Sequence, residues 1–240
     1  MAERVVGMMF VGTSGFSYTS WRGKFYPTDL KSEDFLSYYS KQLNSVEINS
    51  SFYAAPSPGM IRSWSGKTSG SFRFAFKAPR QITHILKLDG KLAVEASQSL
   101  EHTVNLLGEK KGPVLFQLPP YLRQDLPRLE GFLNHTSTLH GRVFEFRHSS
   151  WMTDETYKLL EKYHAGFCIA ETEDMAPVYQ VTGGIAYFRL RKDHYDQKIV
   201  TDWSKKIEEL SKGMPETYVY LRHDESGENA GLALRLLGNK

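Results

Sequence analysis

Six side chains in this sequence are the candidates for moving protons or holding anions: Glu47, Lys77, His84, Glu145, Arg147 and Arg189. Two carboxylates from distant parts of a chain can serve as a general acid and base, or as ligands for a divalent ion. The lysine and two arginines shift that balance. Cations keep carboxylates ionised and repel a metal, while a guanidinium grips phosphate or carboxylate through paired hydrogen bonds. Imidazole titrates near neutrality, which makes His84 a natural proton carrier. The expected chemistry is acid–base or hydrolytic, of the kind a hydrolase or lyase performs, on a small anionic molecule bearing phosphate or carboxylate. Glu47 or Glu145 would move the proton with His84, Lys77 would polarise the ligand, and Arg147 and Arg189 would bind its charge. The same residues also suit a non-catalytic binding or adaptor scaffold, so enzymatic activity stays open.

The elements that must carry these residues follow from pattern. Eight β-rich apolar runs, at 8–13, 45–52, 72–79, 112–119, 142–148, 165–172, 184–191 and 217–224, end in Gly, Pro or polar residues. Stretches of helical spacing at 32–43, 97–110, 126–139, 153–163 and 201–212 alternate with them, the order of a parallel sheet. Eight such units close into a (β/α)8 barrel of the α/β class, and 240 residues suit one domain spanning 1–240. Ser32 before Glu33 and Asp34, and Thr153 before Asp154 and Glu155, read as helix caps with acidic first turns. Residues 173–183 leave room for only a short or irregular sixth helix.

Strand side chains alternate between two faces. In the second run Glu47, Asn49 and Ser51 share a face opposite Val46 and Ile48, and in the fifth Val143, Glu145 and Arg147 oppose Phe144 and Phe146. The polar sets cannot comfortably face helices, so they are assigned to the barrel interior. The same alternation directs Lys77, Gln117, Tyr187, Arg189, Arg191, Tyr218, Tyr220 and Arg222 inward. A barrel built for stability alone would use branched apolar residues there, although mutual neutralisation of the charges is the competing explanation. The candidate mouth comprises Glu47, Lys77, His84 and Glu145 as reacting groups, with Ser14, Tyr18, Trp21, Asn49, Gln117, Arg147 and Arg189 as ligand-binding groups.

The blocks GTSG at 12–15, Tyr18, Trp21, FYP at 25–27, VEINSSFY at 46–53, FAFKAPR at 74–80, ITH at 82–84, LFQLPP at 115–120, VFEFRH at 143–148 and Trp151 together resemble the YecE-like family over essentially the whole chain. The resemblance implies a TIM-type barrel and carries no reaction with it. The turns after the seventh and eighth strands depart from the family pattern: Arg189 is followed by LRKDHY at 190–195, and RHDE occupies 222–225.

A metal-dependent nuclease or phosphoesterase resembling endonuclease IV is the alternative barrel reading, with Glu47, Glu145, Glu171, His148, His223 and Asp224 as its ligands. A phosphate site after strands seven and eight would draw on Arg189, Arg191 and Lys192, with Asn229 capping a last helix that opens within 227–231; Asp224, Glu225 and Glu228 weigh against it. No cofactor is expected, a divalent metal entering only through the nuclease alternative. Phe16, Tyr18, Trp21, Tyr53 and Trp151 admit base stacking, but the net charge of +3 is spread without a basic run, so nucleic acid ranks below a small anion as partner. The single cysteine, Cys168, excludes an internal disulfide and points to a reducing, cytoplasmic compartment. No stretch approaches the ~20 apolar residues of a membrane span, so a membrane partner is not expected. Oligomeric state is left open.

Overall fold

A computed structural model describes residues 7–173 and 175–238. Eight parallel strands, β1 (Met8–Thr13), β2 (Ser45–Ile48), β3 (Arg73–Lys77), β4 (Lys111–Gln117), β5 (Arg142–Glu145), β6 (Gly166–Glu171), β7 (Ile185–Leu190) and β8 (Glu216–Leu221), pair in the order β1-β8-β7-β6-β5-β4-β3-β2. Around them run α1 (Phe35–Gln42), α2 (Pro58–Gly66), α3 (Gly90–Val104), α4 (Leu126–His135), α5 (Asp154–Lys162), α6 (Gln197–Leu210) and α7 (Glu228–Leu237). The expected (β/α)8 barrel is the observed fold. Among the described residues between β6 and β7 there is no helix, and the chain returns as an irregular loop ending in the bridge Thr182–Ile185.

The wall between β1 and β2 is closed differently from the other seven, which are ladders of backbone hydrogen bonds. At its base the Asn44 side chain accepts from the Val11 amide and donates to the Met9 carbonyl, both at 2.8 Å. Higher up, the Tyr39 hydroxyl accepts from the Thr13 amide at 2.8 Å and donates to the Ser45 carbonyl at 3.0 Å. At the mouth a single backbone bridge joins Ser14 to Glu47, with the Gly15 amide donating to the Glu47 carbonyl at 2.8 Å. The strands approach so closely that a Cβ on Gly12 would lie 1.9 Å from the Ser45 carbonyl oxygen.

Two apolar layers result from the alternation. Val46, Ile48, Phe74, Phe76, Phe144 and Phe146 face the helices. Inside the barrel Phe10, Ala75, Leu115, Val143, Tyr187, Tyr218 and Tyr220 pack as a second, separate cluster.

Helix starts differ from expectation in two places. Thr153 does cap α5, accepting from the Thr156 amide, but Ser32 begins a 3-10 turn that runs into α1, and its hydroxyl accepts from Arg22 instead. The cap of α7 is the Asp224 carboxylate, which accepts from the Glu228 and Asn229 amides at 2.9 and 3.4 Å, whereas the Asn229 side chain donates to the Arg222 carbonyl. A carboxylate already occupies that helix end, and Lys192 is paired with Glu171, so the start of α7 has no place for an anion. Helix α2, whose signals are Ser57 as cap and Pro58 at the first position, was not among the expected helices.

Candidate functional site

Glu47 and Glu145 both face the lumen, and both are bound by one guanidinium. Arg189 donates from Nη2 to Glu47 Oε1 at 2.8 Å and from Nη1 to Glu145 Oε2 in a short contact. Glu47 Oε1 also accepts from the Ser14 hydroxyl and Oε2 from the Tyr187 hydroxyl, each at 2.8 Å. Glu145 Oε1 accepts from Gln117 Nε2 at 2.8 Å and from Arg147 Nε at 3.0 Å. Every carboxylate oxygen therefore has a donor, and each acid is almost wholly buried. Burial alone would push both carboxyl groups up. For Glu47 the guanidinium groups of Arg189 and Arg191 outweigh it, and for Glu145 those of Arg189 and Arg147, so both stay below the ordinary carboxylate range.

This geometry revises two assigned roles. Glu47 and Glu145 are held ionised and fully bonded, so they position Arg189 and are not free to accept a proton. Arg189 is 1% exposed with both Nη atoms committed to carboxylates, which leaves it no surface for an external anion. Trp21 is also corrected. Its ring is completely buried against Phe25 and Tyr26, and its indole N–H donates to the Asp224 carbonyl at 2.7 Å, so it has no face for a ligand.

The remaining cations converge above this layer. Lys77, at the end of β3, lies with Nζ 4.0 Å over the Phe52 ring. Burial and the positive field of Arg189 outweigh the attraction of Glu145 and Glu47, lowering its ammonium to about 8. Arg147 is partly open to solvent beyond Glu145. Arg191 donates to the Ser14 hydroxyl, a neutral oxygen, and burial with the repulsion of Arg189 lowers it to about 10. Two carboxylates, Glu47 and Glu145, thus face four cations, Lys77, Arg147, Arg189 and Arg191.

His84 sits on a π-turn, Gln81–Ile85, just after β3, with Nδ1 2.9 Å from the Thr83 hydroxyl and its ring edge-on to Phe52 at 5.0 Å. Single π-turns recur at functional sites. Partial burial, then the nearby Lys77 and Arg147, lowers its imidazole, so the ring is neutral at pH 7. Asn49 follows β2, and its Oδ1 is buried without a hydrogen-bond partner among the described residues. Tyr18 donates to the Ser14 carbonyl at 2.7 Å and stacks on His223 at 4.6 Å; burial pushes its phenol up to about 12.

Three residues outside the sequence-derived site belong to it. Tyr187 on β7 and Arg191 just past its end continue the inward register of Arg189, a signal already available from the alternation. Phe52 had none, because the chain leaves β2 after Ile48 and turns through Ser50–Phe52.

The metal-ligand set of the alternative reading is dispersed. Glu171 accepts from Trp203 and pairs with Lys192, His148 accepts from the Ser150 amide, His223 stacks on Tyr18, and Asp224 caps α7. No group of three or more His, Cys, Asp or Glu among the described residues is arranged to hold a metal ion. No helix among them is long and apolar enough to cross a membrane.

A groove of about 490 Å³ adjoins the mouth beside Phe52, Tyr53, Pro79, Arg80 and Ile85. A larger cavity of about 610 Å³, at the opposite end between α6 and α7, is lined mainly by apolar groups such as Met9, Ile207 and Val219. Chemistry in this architecture belongs to the strand C-termini, the end at which Lys77, Arg147 and Arg191 lie.

Residues 10–239 match the family described as "Protein of unknown function DUF72". The chain is 28% identical over 142 residues to UPF0759 protein YecE of Escherichia coli K12, a match covering 59% of this chain and 49% of YecE, about half that relative's length. UPF0759 protein YunF of Bacillus subtilis is 21% identical, with 96% of this chain and 94% of YunF covered. Among solved structures, a DUF72 family protein from Thermotoga maritima superposes with a TM-score of 0.82 at 26% identity over 96% of this chain and 98% of that one. D-psicose 3-epimerase from Clostridium cellulolyticum has a TM-score of 0.52 at 8% identity, covering 87% and 85%, a likeness of fold alone.

Proposed function

The chain belongs to the DUF72 family, whose description names no reaction, and from the chemistry of its barrel mouth we propose that it binds a small molecule bearing phosphate or carboxylate. The carrying observation is the excess of cations at the mouth, above all Arg191, which is hydrogen-bonded to a hydroxyl and not to a carboxylate. Arg191, Arg147 and Lys77 form the anion-binding face. Glu47 and Glu145 hold Arg189 beneath them, which fixes the floor of the site. His84, neutral and beside Lys77, is the proton carrier if the bound molecule reacts. Against the metallonuclease reading, Glu47 and Glu145 are bound to Arg189, and Glu171, His148 and Asp224 bond to groups of their own.

Calorimetric titration with inorganic phosphate tests the proposal. The wild-type protein is expected to bind phosphate, more weakly as salt is raised, and Arg191→Gln or Arg147→Gln is expected to weaken binding roughly tenfold each, the worth of one charge-assisted hydrogen bond. Absence of binding, or binding that neither variant disturbs, would overturn it.

A further inference from the structure

Lys77 differs from the other cations of the mouth in what holds it. Arg147 and Arg189 are ion-paired, and Arg191 is hydrogen-bonded to Ser14. Among the described residues the Lys77 amine has no ion pair or hydrogen bond, and its contact is the face of Phe52. Its main chain is fixed, since the Lys77 carbonyl accepts from the Ser51 hydroxyl at 2.7 Å, while the flexible stem lets the amine reach the open mouth. Glu47 on β2, Glu145 at the end of β5, Arg147 just beyond it and Arg189 on β7 all act on it, and the arginines with burial oppose the charged form. A groove of about 490 Å³ borders Phe52, the ring on which the amine rests.

We infer that Lys77 is a covalent nucleophile that forms an imine with an aldehyde or ketone whose phosphate or carboxylate is held by Arg147 and Arg191. The inference rests on the anion-binding reading for the choice of ligand, but the amine chemistry stands apart from it. In the first step the neutral amine attacks the carbonyl carbon, a C–N bond forms, and the carbonyl electron pair moves to oxygen, which takes up the proton released by nitrogen. The resulting carbinolamine loses its hydroxyl as water after protonation, with His84 the neighbouring group suited to relay that proton, and the nitrogen lone pair completes the C=N bond. No oxidant or further reactant is needed. A lysine amine whose charged form is disfavoured by burial and neighbouring cations is the kind that performs such chemistry.

Glyoxylate with sodium cyanoborohydride converts such an imine into a stable carboxymethyl-lysine, located by peptide mapping. At neutral pH, Lys77 is expected to be labelled at least roughly tenfold faster than the exposed Lys91 and Lys198, reflecting its larger neutral fraction. Inorganic phosphate is expected to slow labelling at Lys77 without slowing it at Lys91, and Lys77→Arg to abolish the fast adduct with the fold intact by circular dichroism. Labelling of Lys77 no faster than Lys91 overturns the imine inference, even if phosphate binds. Fast labelling by glyoxylate and by uncharged propanal alike, without protection by phosphate, upholds the nucleophile and overturns the anion-binding reading instead.

Discussion

Ser14 and Glu47 are joined twice: their backbones form the bridge that closes the barrel at its mouth, and the Ser14 hydroxyl donates to the Glu47 carboxylate at 2.8 Å. Glu47 therefore holds the wall together while it holds Arg189, so stability and site geometry meet in one residue.

Glu47→Gln leaves Arg189 with one buried carboxylate in place of two. Chemical denaturation is expected to show a loss of about 3 kcal/mol, the lower end of what breaking a buried ion pair costs. Adding Arg189→Met is expected to recover part of it, because the uncompensated cation is removed as well. A double variant that is less stable than the single one would contradict this arrangement.

Acid should dissolve the same lock. Both carboxyl groups titrate lower in the folded protein than in the unfolded chain, where glutamate ionises near ~4.3. Their stabilisation is complete above that value and is lost as pH falls from there toward the depressed folded values, where the unfolded chain binds more protons. Thermal denaturation followed from pH 7 to pH 3 should decline steeply only below about pH 4.3, and Glu145→Gln should flatten the decline.

Lys77 works in the opposite sense. Its ammonium is lowered to about 8 from 10.5, so the folded protein carries fewer protons than the unfolded chain between those values. Charged Lys77 thus destabilises the fold at neutral pH, and the penalty is relieved as pH rises from about 8 to 10.5. Lys77→Met is expected to raise the melting temperature at pH 7 and to lose that advantage at alkaline pH. An equal gain at both pH values would show that packing, not charge, is responsible.

Trp21→Phe removes the indole donor to Asp224 from the core. A loss of roughly 1–2 kcal/mol is expected in denaturant, with phosphate affinity unchanged. A fall in affinity would return Trp21 to the binding site.

Gly12→Ala forces a methyl group against the Ser45 carbonyl, a backbone atom that cannot move alone. About 3 kcal/mol or more of destabilisation is expected, visible as a low melting temperature or insoluble expression.

The inward direction of Glu47, Lys77, Gln117, Glu145 and Arg189 was legible in the sequence, because a two-residue period is local and the helix-facing partners Val46, Phe76 and Phe144 complete it. What Arg189 does there was not legible. β7 pairs with β6 and β8, and its guanidinium meets β2 and β5 only across the lumen, a relation that arises on closure. The role given to Trp21 failed for a similar reason: its partner Asp224 is 203 residues away in sequence. Ser32 had the composition of a cap but not the backbone, since a 3-10 turn carries the chain into α1.

The clasp between β1 and β2 gives the barrel one wall with its own clock. Val11 and Thr13 donate their amide protons to the Asn44 side chain and the Tyr39 phenol, so these protons can reach water by the rotation of a side chain. Each of the other walls must part a backbone ladder to expose its amides. That edge, which ends at Glu47, is expected to open first, and hydrogen exchange would show it as earlier loss of protection at Val11 and Thr13 than along the other walls.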